Sequence, residues 1–409
     1  MFSAEEKAKI KEICEQIDKR IKNEHLVCFK GMDKPLFLIS NAYHGLWLEH
    51  VYDSVFYAQR HPEYVHIAIN ALDIFIDNQN SEGLYPFSVM YRDNDESCKV
   101  QYTQIQECVS FPKLCLMTYR IHGDRELLLK YYNSSKAWDG WYRNFRMTTG
   151  RGLAEVFVGF DTGHDGSGRK NGMKWKGNYA PEGVALSASV CPTDCDVAPI
   201  LAVDLNASLY ATEKALEAMA RELGLDSEAD EWARLASNIK AKIFELLYDR
   251  DDAFFYDVDK HGNKRKMLSS TIFHLFMEGV LDKEADAEVI KEIYDRHIKN
   301  PEEFWTAYPF PSMAVCDPTC VGHRDQNCWG YHSQALIALR CTMWMDEYGM
   351  GKDFDTLCEA WLHALTKCFD YMKLGQELDP LTGEPTRSSE WYSSCMLFYT
   401  YAAERLGVI

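Results

Sequence analysis

Residues 204–248 read DLNASLYATEKALEAMARELGLDSEADEWARLASNIKAKIFELLY, and this stretch predicts two consecutive α-helices. Apolar residues recur at intervals of three and four on both sides of Gly224, which is the spacing of an amphipathic helix. Gly224 marks the end of the first helix, because glycine is favoured just after a helix, and Asp204 is a candidate N-cap. The segment therefore predicts helices at 204–223 and 226–248.

The same spacing continues on both sides of this stretch. Near the N-terminus, an apolar stripe with Lys and Glu between its members consists of Ile10, Ile13, Ile17 and Ile21. Pro62, Gly123 and Asp124 stand where helices begin or end. Further helices are predicted at 42–59, 62–78, 104–121, 125–145, 266–279, 283–298, 331–347, 353–373 and 390–405. Strand-forming residues at 254–258 turn through 261–263, which predicts a small β-hairpin.

The arrangement of these helices predicts the fold class. The chain of 409 residues shows no internal repeat and no linker rich in Pro, Gly and Ser. Its one long irregular stretch, 146–203, is rich in glycine, and a loop of that length inside a domain is usually functional. We therefore predict an all-α chain with one domain at 1–409, an (α/α)6 barrel (toroid) with long loops at one end and a small β-hairpin.

The charge and the cysteine content limit the partners. The chain has 62 Asp and Glu against 44 Lys and Arg, a net charge of −18, which argues against nucleic acid and against an anionic membrane surface. We find no apolar run of about 18 residues and no secretory signal. The 14 cysteines therefore predict reduced thiols and a cytoplasmic location, and the oligomeric state is left open.

Aromatic residues make up 13% of the chain, with 10 Trp, 23 Tyr and 20 Phe. Packing between wide helix interfaces accounts for such a content without any ligand. The alternative is a carbohydrate or another ring-shaped ligand, because its C–H faces stack on aromatic rings.

Two loops carry clustered carboxylates. The first, 159–169, reads GFDTGHDGSGR and places two Asp four residues apart with an Arg four residues further on. The second, 375–385, reads GQELDPLTGEP and precedes the helix predicted from residue 390. A calcium loop or a turn network remains possible for the first and a plain turn for the second, although no Glu completes an EF-hand. Together, two acidic loops in an aromatic-rich barrel fit a carboxylate pair that flanks a glycosidic bond.

These loops and two further segments resemble the catalytic domain of glycoside hydrolase family 63 and its trehalase relatives, and the resemblance covers 35–405. The family pattern G-W-E-S-G-x-D-N-S-P-R is followed with substitutions at 159–169, and V-D-L-N-A is intact at 203–207. The pattern E-F-W-x-x-Y-x-x-P-S is matched at 303–312. The pattern E-x-Y-[ND]-P-x-T-G is matched by Glu377, Asp379, Pro380, Thr382 and Gly383. The resemblance implies an inverting, exo-acting α-glycosidase that hydrolyses a small α-glycoside or an oligosaccharide.

The resemblance also implies two catalytic carboxyl groups, Asp165 as the general acid and Glu377 as the general base. The acid has to keep its proton near neutral pH, so an apolar wall or the charge of Asp161 is expected to raise its pKa. The base has to stay ionised and hold a water, which places the two carboxyl groups about 6.5–9.5 Å apart. No cofactor and no metal are expected.

Family segments that would surround the sugar are altered in this chain. The pattern F-L-W-D-x-x-F-H appears at 37–44 with Ile39 and Ser40 in place of Trp and Asp. The pattern Y-W-R-G-P-x-W appears at 327–333 without an Arg and a Trp, and a T/S-Q-P-P loop is replaced at 106–109. The sugar is therefore left open. The predicted substrate contacts are Asn41, His44, Glu49, Glu107, Asp161, Arg169, Trp305, Asp325, Gln326, Trp329, Tyr331 and His332, among which any His or Trp fits a packed core residue equally well.

Other interpretations stay open at this point. Two C-x3-C pairs and nearby residues could form a zinc site or could be ordinary thiols; they are Cys191, Cys195, Cys316, Cys320, His323 and Cys328. An epimerase on the same toroid would use histidines and would keep its activity without Glu377. A phosphorylase would need a basic phosphate site in place of the catalytic water, and a non-catalytic protein would only bind sugar.

Overall fold

The computed structural model describes residues 2–107, 109–173, 185–192, 195–321, 329–386 and 389–409. Its α-helices are α1 (Ala4–Arg20), α2 (Val51–Arg60), α3 (Val65–Ile76), α4 (Phe111–His122), α5 (Arg125–Phe145), α6 (Val203–Leu223), α7 (Asp226–Leu246), α8 (Phe273–Met277), α9 (Ala287–Ile293), α10 (Pro318–Val321), α11 (Ala335–Arg340), α12 (Gly351–Cys368) and α13 (Ser393–Arg405). Its strands are β1 (Leu26–Cys28), β2 (Pro35–Phe37), β3 (Gly45–Trp47), β4 (Ser88–Met90), β5 (Lys99–Gln101), β6 (Glu155–Val156), β7 (Ile200–Leu201), β8 (Tyr248–Asp249), β9 (Phe254–Phe255), β10 (Asp257–Val258), β11 (Lys264–Arg265), β12 (Ser333–Gln334) and β13 (Glu377–Leu378).

The helices form two concentric rings. The inner ring consists of α2, α4, α6, α8, α11 and α13, and neighbouring members pack against each other in that order. Between α8 and α11 the contact runs through Phe273 and Phe276, whose rings lie 5.8 and 5.1 Å from the ring of Trp344 just after α11. The outer ring consists of α1, α3, α5, α7, α9 and α12, and α1 closes it by packing on α12 and α13. The fold is the predicted (α/α)6 barrel.

The stretch that predicted two helices forms α6 and α7. Most of α6 is buried, as an inner helix requires, whereas α7 buries one stripe, Ala229, Ala236, Ile239 and Ile243. Gly224 ends α6 with a φ of 78°, a conformation that glycine adopts without a steric penalty. The predicted N-cap was wrong: α6 begins at Val203, and the carboxylate of Asp204 lies within the first turn, where it binds Arg169.

Five inner helices begin later than predicted. The predicted starts at 42, 104, 266, 331 and 390 are replaced by starts at Val51, Phe111, Phe273, Ala335 and Ser393. In each case the preceding residues turn, and two of the five segments contain a short strand, β3 or β12. Because the N-terminal ends of inner helices share one face of the barrel, these turns gather there. The predicted hairpin is confirmed, since β10 pairs with β11 in antiparallel fashion.

Much of the aromatic content is packed in the core. Trp138 and Trp141 are fully buried and stack with ring centroids 5.0 Å apart, and Trp344 and Trp361 are each 1% exposed. Such aromatic pairs contribute about 0.5–1.5 kcal/mol beyond the area they bury. Packing therefore accounts for these four tryptophans without a ligand.

The cysteines with described side chains are free thiols. Of the possible zinc ligands, Cys191, Cys195 and Cys316 are described, whereas the side chain of Cys320, together with His323 and Cys328, lies outside the described residues. The cytoplasmic location stays a prediction. Among the described helices, we find none with the length and apolar character needed to cross a membrane.

Candidate active site

The first acidic loop is folded around Asp161. This carboxylate is fully buried and accepts two hydrogen bonds from Arg146, at 2.6 and 3.1 Å, and two from the backbone N–H groups of Phe157 and Val158. Its oxygens are engaged by the protein, and Arg146 balances its charge. The substrate contact predicted for Asp161 and its predicted effect on Asp165 stay predictions, and the structure shows that protein donors already engage both of its oxygens.

Arg169 fastens the end of the same loop. Its guanidinium is 3% exposed and donates to both carboxylate oxygens of Asp204 at 2.8 and 2.9 Å, to Asp257 at 2.6 and 3.1 Å, and to Thr162. Burial opposes its charge, but the two carboxylates raise the pKa of Arg169, and Arg169 and His164 in turn hold the pKa of the buried Asp204 well below its usual range. All five N–H donors are used. Arg169 therefore ties the loop to α6 and β10, and its contact with substrate stays a prediction.

Asp165 is presented by this rigid loop. Every other residue from 161 to 169 is buried, whereas Asp165 is partly exposed. Its neighbour His164 lies with Nδ1 3.1 Å from Asp204 Oδ2, and its ring meets the ring of Trp329 edge-on with centroids 4.6 Å apart. Burial lowers the pKa of His164, so its imidazole is neutral at neutral pH. The fastened loop thus offers one carboxyl group next to a neutral imidazole.

Glu377 lies on β13 and is fully buried. Its Oε1 accepts hydrogen bonds from the side-chain amide of Gln334 and from the backbone N–H of Trp329, the latter at 3.3 Å. Its Oε2 accepts from the hydroxyl of Thr386 at 3.3 Å. Strand β13 pairs with β12 so that Glu377 faces Gln334 directly. Hydrogen bonds of this kind favour the ionised carboxylate.

Trp329 joins the two acidic loops. Its backbone N–H binds Glu377, while its ring packs on His164, the residue before Asp165. The backbone at Trp329 has a φ of 63°, a left-handed conformation that costs about 1–2 kcal/mol for a residue with a side chain. Acidic loops that are more than 200 residues apart in the sequence therefore meet at one place on the barrel face.

The spacing of the second acidic loop departs from the family pattern. In E-x-Y-[ND]-P-x-T-G the Glu precedes the Pro by four residues, and in this chain that place holds Gln376, while Glu377 precedes Pro380 by three. Gln376 is 5% exposed and accepts a hydrogen bond at 3.1 Å from the hydroxyl of Tyr43. Glu377 binds the N–H of Trp329, whose ring packs on the residue before Asp165. Gln376 instead binds Tyr43. Geometry therefore favours Glu377 as the partner of Asp165.

The segment around residue 40 contributes the rim of the site. Asn41 and His44 are exposed, and the His44 ring lies 5.6 Å from that of Tyr91. Ser40 is buried and bonds the hydroxyl of Ser389 at 2.5 Å. Two of the predicted contacts, Asn41 and His44, are thus accessible to a ligand.

Glu49 and Glu107 lie deeper in the barrel. Glu49 is 8% exposed, and its Oε1 lies 3.5 Å from Nδ1 of His50. Glu107 is 1% exposed and accepts from the N–H of Phe111 at 2.7 Å and the hydroxyl of Tyr142 at 2.7 Å. Glu107 therefore supports the start of α4, and its contact with substrate stays a prediction.

Trp305 packs on one aromatic and one basic residue. Its ring lies 5.4 Å from the ring of Phe310, and the ammonium of Lys299 lies 3.6 Å from its centroid. Lys299 is bound to Asp353 of α12 in the outer ring. The predicted role of Trp305 at the sugar stays a prediction.

The remaining predicted contacts lie near Trp329 or outside the described residues. Tyr331 and His332 are 4% and 8% exposed and precede β12, and Tyr331 packs on Met313. Asp325 and Gln326 lie outside the described residues. The residues next to Trp329 thus enclose the site, and their contact with substrate stays a prediction.

Sequence analysis missed Gln334, Arg340 and His274. Arg340 is 4% exposed, donates to the carbonyl of Glu49 at 3.2 Å, and places its guanidinium 5.8 Å from the ring of Trp329. Arg340 ends the apolar run ALIALR and His274 interrupts the run TIFHLFM. A polar residue inside a buried helix was the available signal for both. No comparable signal marked Gln334.

One group of described residues has the spacing of metal ligands. His164, Asp204 and His274 are all buried, and one ligand atom of each lies within 4.8 Å of the others. The carboxylate of Asp204 is already bound to Arg169 through both oxygens. A cation would therefore compete with a guanidinium for the same carboxylate, and this donor set does not favour a metal.

The comparisons with known proteins show the family and the fold of the chain. Residues 53–393 match the family described as the mannosylglycerate hydrolase MGH1-like glycoside hydrolase domain. The chain belongs to this family. The protein is therefore a glycoside hydrolase, and the predicted resemblance to family 63 and the trehalases is confirmed. A comparison with curated protein sequences finds no match.

Solved structures share the fold of this glycoside hydrolase. The family 63 mannosylglycerate hydrolase from Thermus thermophilus, in complex with glucose, superposes with a TM-score of 0.71 at 18% identity, covering 95% of this chain and 99% of that one. The neutral trehalase from Saccharomyces cerevisiae has a TM-score of 0.66 at 14% identity, covering 91% and 73%. A rhamnosidase from Klebsiella oxytoca has a TM-score of 0.60 at 11% identity, covering 100% and 65%.

Proposed function

We propose that this glycoside hydrolase is an inverting, exo-acting α-glycosidase in which Asp165 is the general acid and Glu377 is the general base. The contact of Trp329 with both acidic loops is the observation that carries the proposal. It joins a partly exposed carboxyl group to a carboxylate that three hydrogen-bond donors hold. The three donors favour the ionised form of Glu377 that a base requires, and the proposal assigns the proton to Asp165.

In the proposed reaction, Asp165 gives its proton to the glycosidic oxygen while the bond from that oxygen to the anomeric carbon breaks. A water attacks the anomeric carbon from the opposite face, and Glu377 takes the proton that this water loses. The products are an alcohol and a free sugar of inverted configuration. Afterwards Asp165 regains a proton from solvent and Glu377 releases one, so the enzyme returns to its starting state.

The substrate class follows from the family and from this chain's altered residues. The Thermus relative is named a mannosylglycerate hydrolase and the yeast relative a trehalase, and each name gives a small glycoside as the substrate. Ile39 and Ser40 replace an aromatic and an acidic residue of the family pattern, and both are buried. We propose a small α-glycoside as the substrate. The accessible Asn41 and His44 are then the first residues to test for selection of the sugar.

Product analysis on a panel of substrates tests the proposal. The panel contains aryl α-glycosides, trehalose and α-mannosylglycerate, and NMR follows the first anomer released. Inversion of an aryl α-glycoside or of α-mannosylglycerate releases the β-anomer first, so early release of the α-anomer from either would overturn the mechanism. Trehalose, whose leaving group is itself an α-linked glucose, should release one β-anomer and one α-anomer. Asp165→Asn and Glu377→Gln are each expected to lower kcat by about 100- to 10,000-fold, with circular dichroism as the check on folding.

Gln376 provides a second test, because it occupies the family's spacing for the base. We expect Gln376→Glu to leave Glu377→Gln inactive when the two are combined, since position 376 contacts Tyr43 and not Trp329. If the double variant instead recovers activity, a carboxylate at position 376 also reaches the catalytic water, and the geometric distinction between positions 376 and 377 is wrong.

A further inference from the structure

We propose that Gln334 is a positioning residue that fixes the orientation and the ionised state of Glu377. The inference rests on the proposed function, in which Glu377 acts as the base. Gln334 is fully buried, and its side-chain amide donates to Oε1 of Glu377. Neither the family patterns nor the spacing of carboxylates in the sequence points to this residue.

The sheet register makes the contact between these two residues specific. Strands β12 and β13 are antiparallel, with Gln334 opposite Glu377 and Ser333 opposite Leu378. Directly opposite residues of an antiparallel pair place their side chains on the same face. A slip by one residue would turn the amide of Gln334 to the other face. The short sheet therefore holds the donor at a fixed place beside the base.

The chemistry of the amide determines which atom faces Glu377. A carboxylate offers acceptors only, so the NH2 end of Gln334 has to point at Oε1, because its carbonyl oxygen would be repelled there. Unlike a carboxyl group, an amide does not titrate between about pH 3 and 11, so it does not exchange its proton with its partner. Gln334 can therefore stay a donor throughout the catalytic cycle.

The second donor to Oε1 belongs to the backbone. It is the N–H of Trp329, at 3.3 Å, in the left-handed conformation described above. Substitution of a side chain leaves that donor in place. Gln334 is thus the side chain through which the environment of Oε1 can be tested while the Trp329 N–H is retained.

The experiment compares pH–rate profiles of the full chain carrying Gln334→Met and Gln334→Glu. Methionine keeps the length and removes the donor, so the acid limb of kcat is expected to move to higher pH by about one unit or more, with KM changed less than about threefold. Glutamate places a second carboxyl group against the first, so a larger shift in the same direction is expected. A purely structural role would lower activity by the same factor at every pH.

Gln79→Met is the matched control. Gln79 is a partly buried glutamine whose amide likewise acts as a donor, to backbone carbonyls at 2.7 and 3.0 Å, and it lies between α3 and α5. Its variant is expected to keep the wild-type pH profile, whatever its effect on the melting temperature.

The outcomes separate the two proposals. If Glu377→Gln retains activity, the proposed function fails. If Glu377→Gln abolishes activity but both Gln334 variants keep the wild-type acid limb, only the positioning role of Gln334 is overturned. Should Gln334→Met be too unstable to assay, the profile of Gln334→Glu alone decides, because glutamate preserves the volume of the side chain.

Discussion

At the scale of single residues, this site depends on one strained backbone position. Trp329 adopts a left-handed φ of 63°, which directs its N–H to Glu377 while its ring contacts His164. Such strain persists where the surrounding structure over-determines it and is concentrated at functional sites. The backbone of Trp329 therefore contacts the second acidic loop and its ring contacts the first. A substitution at this position can remove the ring contact and keep the backbone hydrogen bond.

We expect Trp329→Gly to keep the hydrogen bond to Glu377 and to lose the contact with His164. Glycine adopts the left-handed conformation readily, so the backbone donor stays in place. The loop that carries Asp165 loses its support, and a misplacement of about 1 Å lowers kcat by about 100-fold. Steady-state kinetics with an aryl α-glycoside measure the loss. Trp391→Gly, at another left-handed Trp whose ring packs on Phe369, is the control and should keep its activity.

Glu107 gives a prediction for the pH dependence of stability. Burial raises the pKa of Glu107 from 4.5 to about 7, so the folded state binds this proton more tightly than the unfolded chain does. Its contribution is fully present below pH 4.5 and is lost as the pH rises through 7. Glu107→Gln should therefore match the wild type near pH 5 and exceed its melting temperature at pH 8. Equal melting temperatures at both pH values would contradict this assignment.

At the scale of the elements, the sequence predicted the presence of the helices more accurately than the residues at which the inner helices begin. The apolar spacing of 204–248 gives the register of α6 and α7, because burial on one side of a helix is a local property. The inner helices α2, α4 and α8 begin seven to nine residues later than predicted. The preceding residues are apolar as well, but they pack across the barrel in turns and short strands, and helical spacing does not reveal contacts between distant segments.

The same limit explains the outcome for the charged residues of the site. Asp165 was predicted from the motif at 159–169, whereas Glu377 lies one residue away from the family's spacing for the base. Asp161 and Arg169 belong to the first of these motifs and Glu107 to the altered loop at 106–109, and all three are engaged by protein partners. Their partners Arg146 and Asp257 lie outside the motifs, so a linear pattern could not separate a residue that holds the loop from one that binds substrate.

The Arg169 contacts predict a large effect on stability. Arg169→Lys removes the paired hydrogen bonds to Asp204 and Asp257 and leaves two buried carboxylates with one point charge. Breaking a buried ion pair costs about 3–5 kcal/mol, and lysine does not reproduce the geometry of the guanidinium. Urea unfolding measures the change. Arg221→Lys, at an exposed ion pair with Asp230, is the matched control and should leave the unfolding midpoint nearly unchanged. If both variants unfold at the same urea concentration, the buried network does not stabilise the loop.

At the scale of the whole molecule, the net charge of −18 acts on any charged substrate that approaches the barrel face. A neutral α-glycoside feels little of this field, so its kcat/KM should stay constant as sodium chloride rises from about 10 to 300 mM. A glycoside that carries a carboxylate is repelled at low salt, and its kcat/KM should rise severalfold over the same range, because screening removes the repulsion. Parallel assays of a neutral and a carboxylate-bearing α-glycoside measure the difference. A fall in kcat/KM with salt for the anionic substrate would contradict control by the net charge. Such a fall would mean that cations near the site control the approach of the substrate. Arg340 would then be the first residue to substitute. It lies beside Trp329, and two of its nitrogens have no hydrogen-bond partner among the described residues.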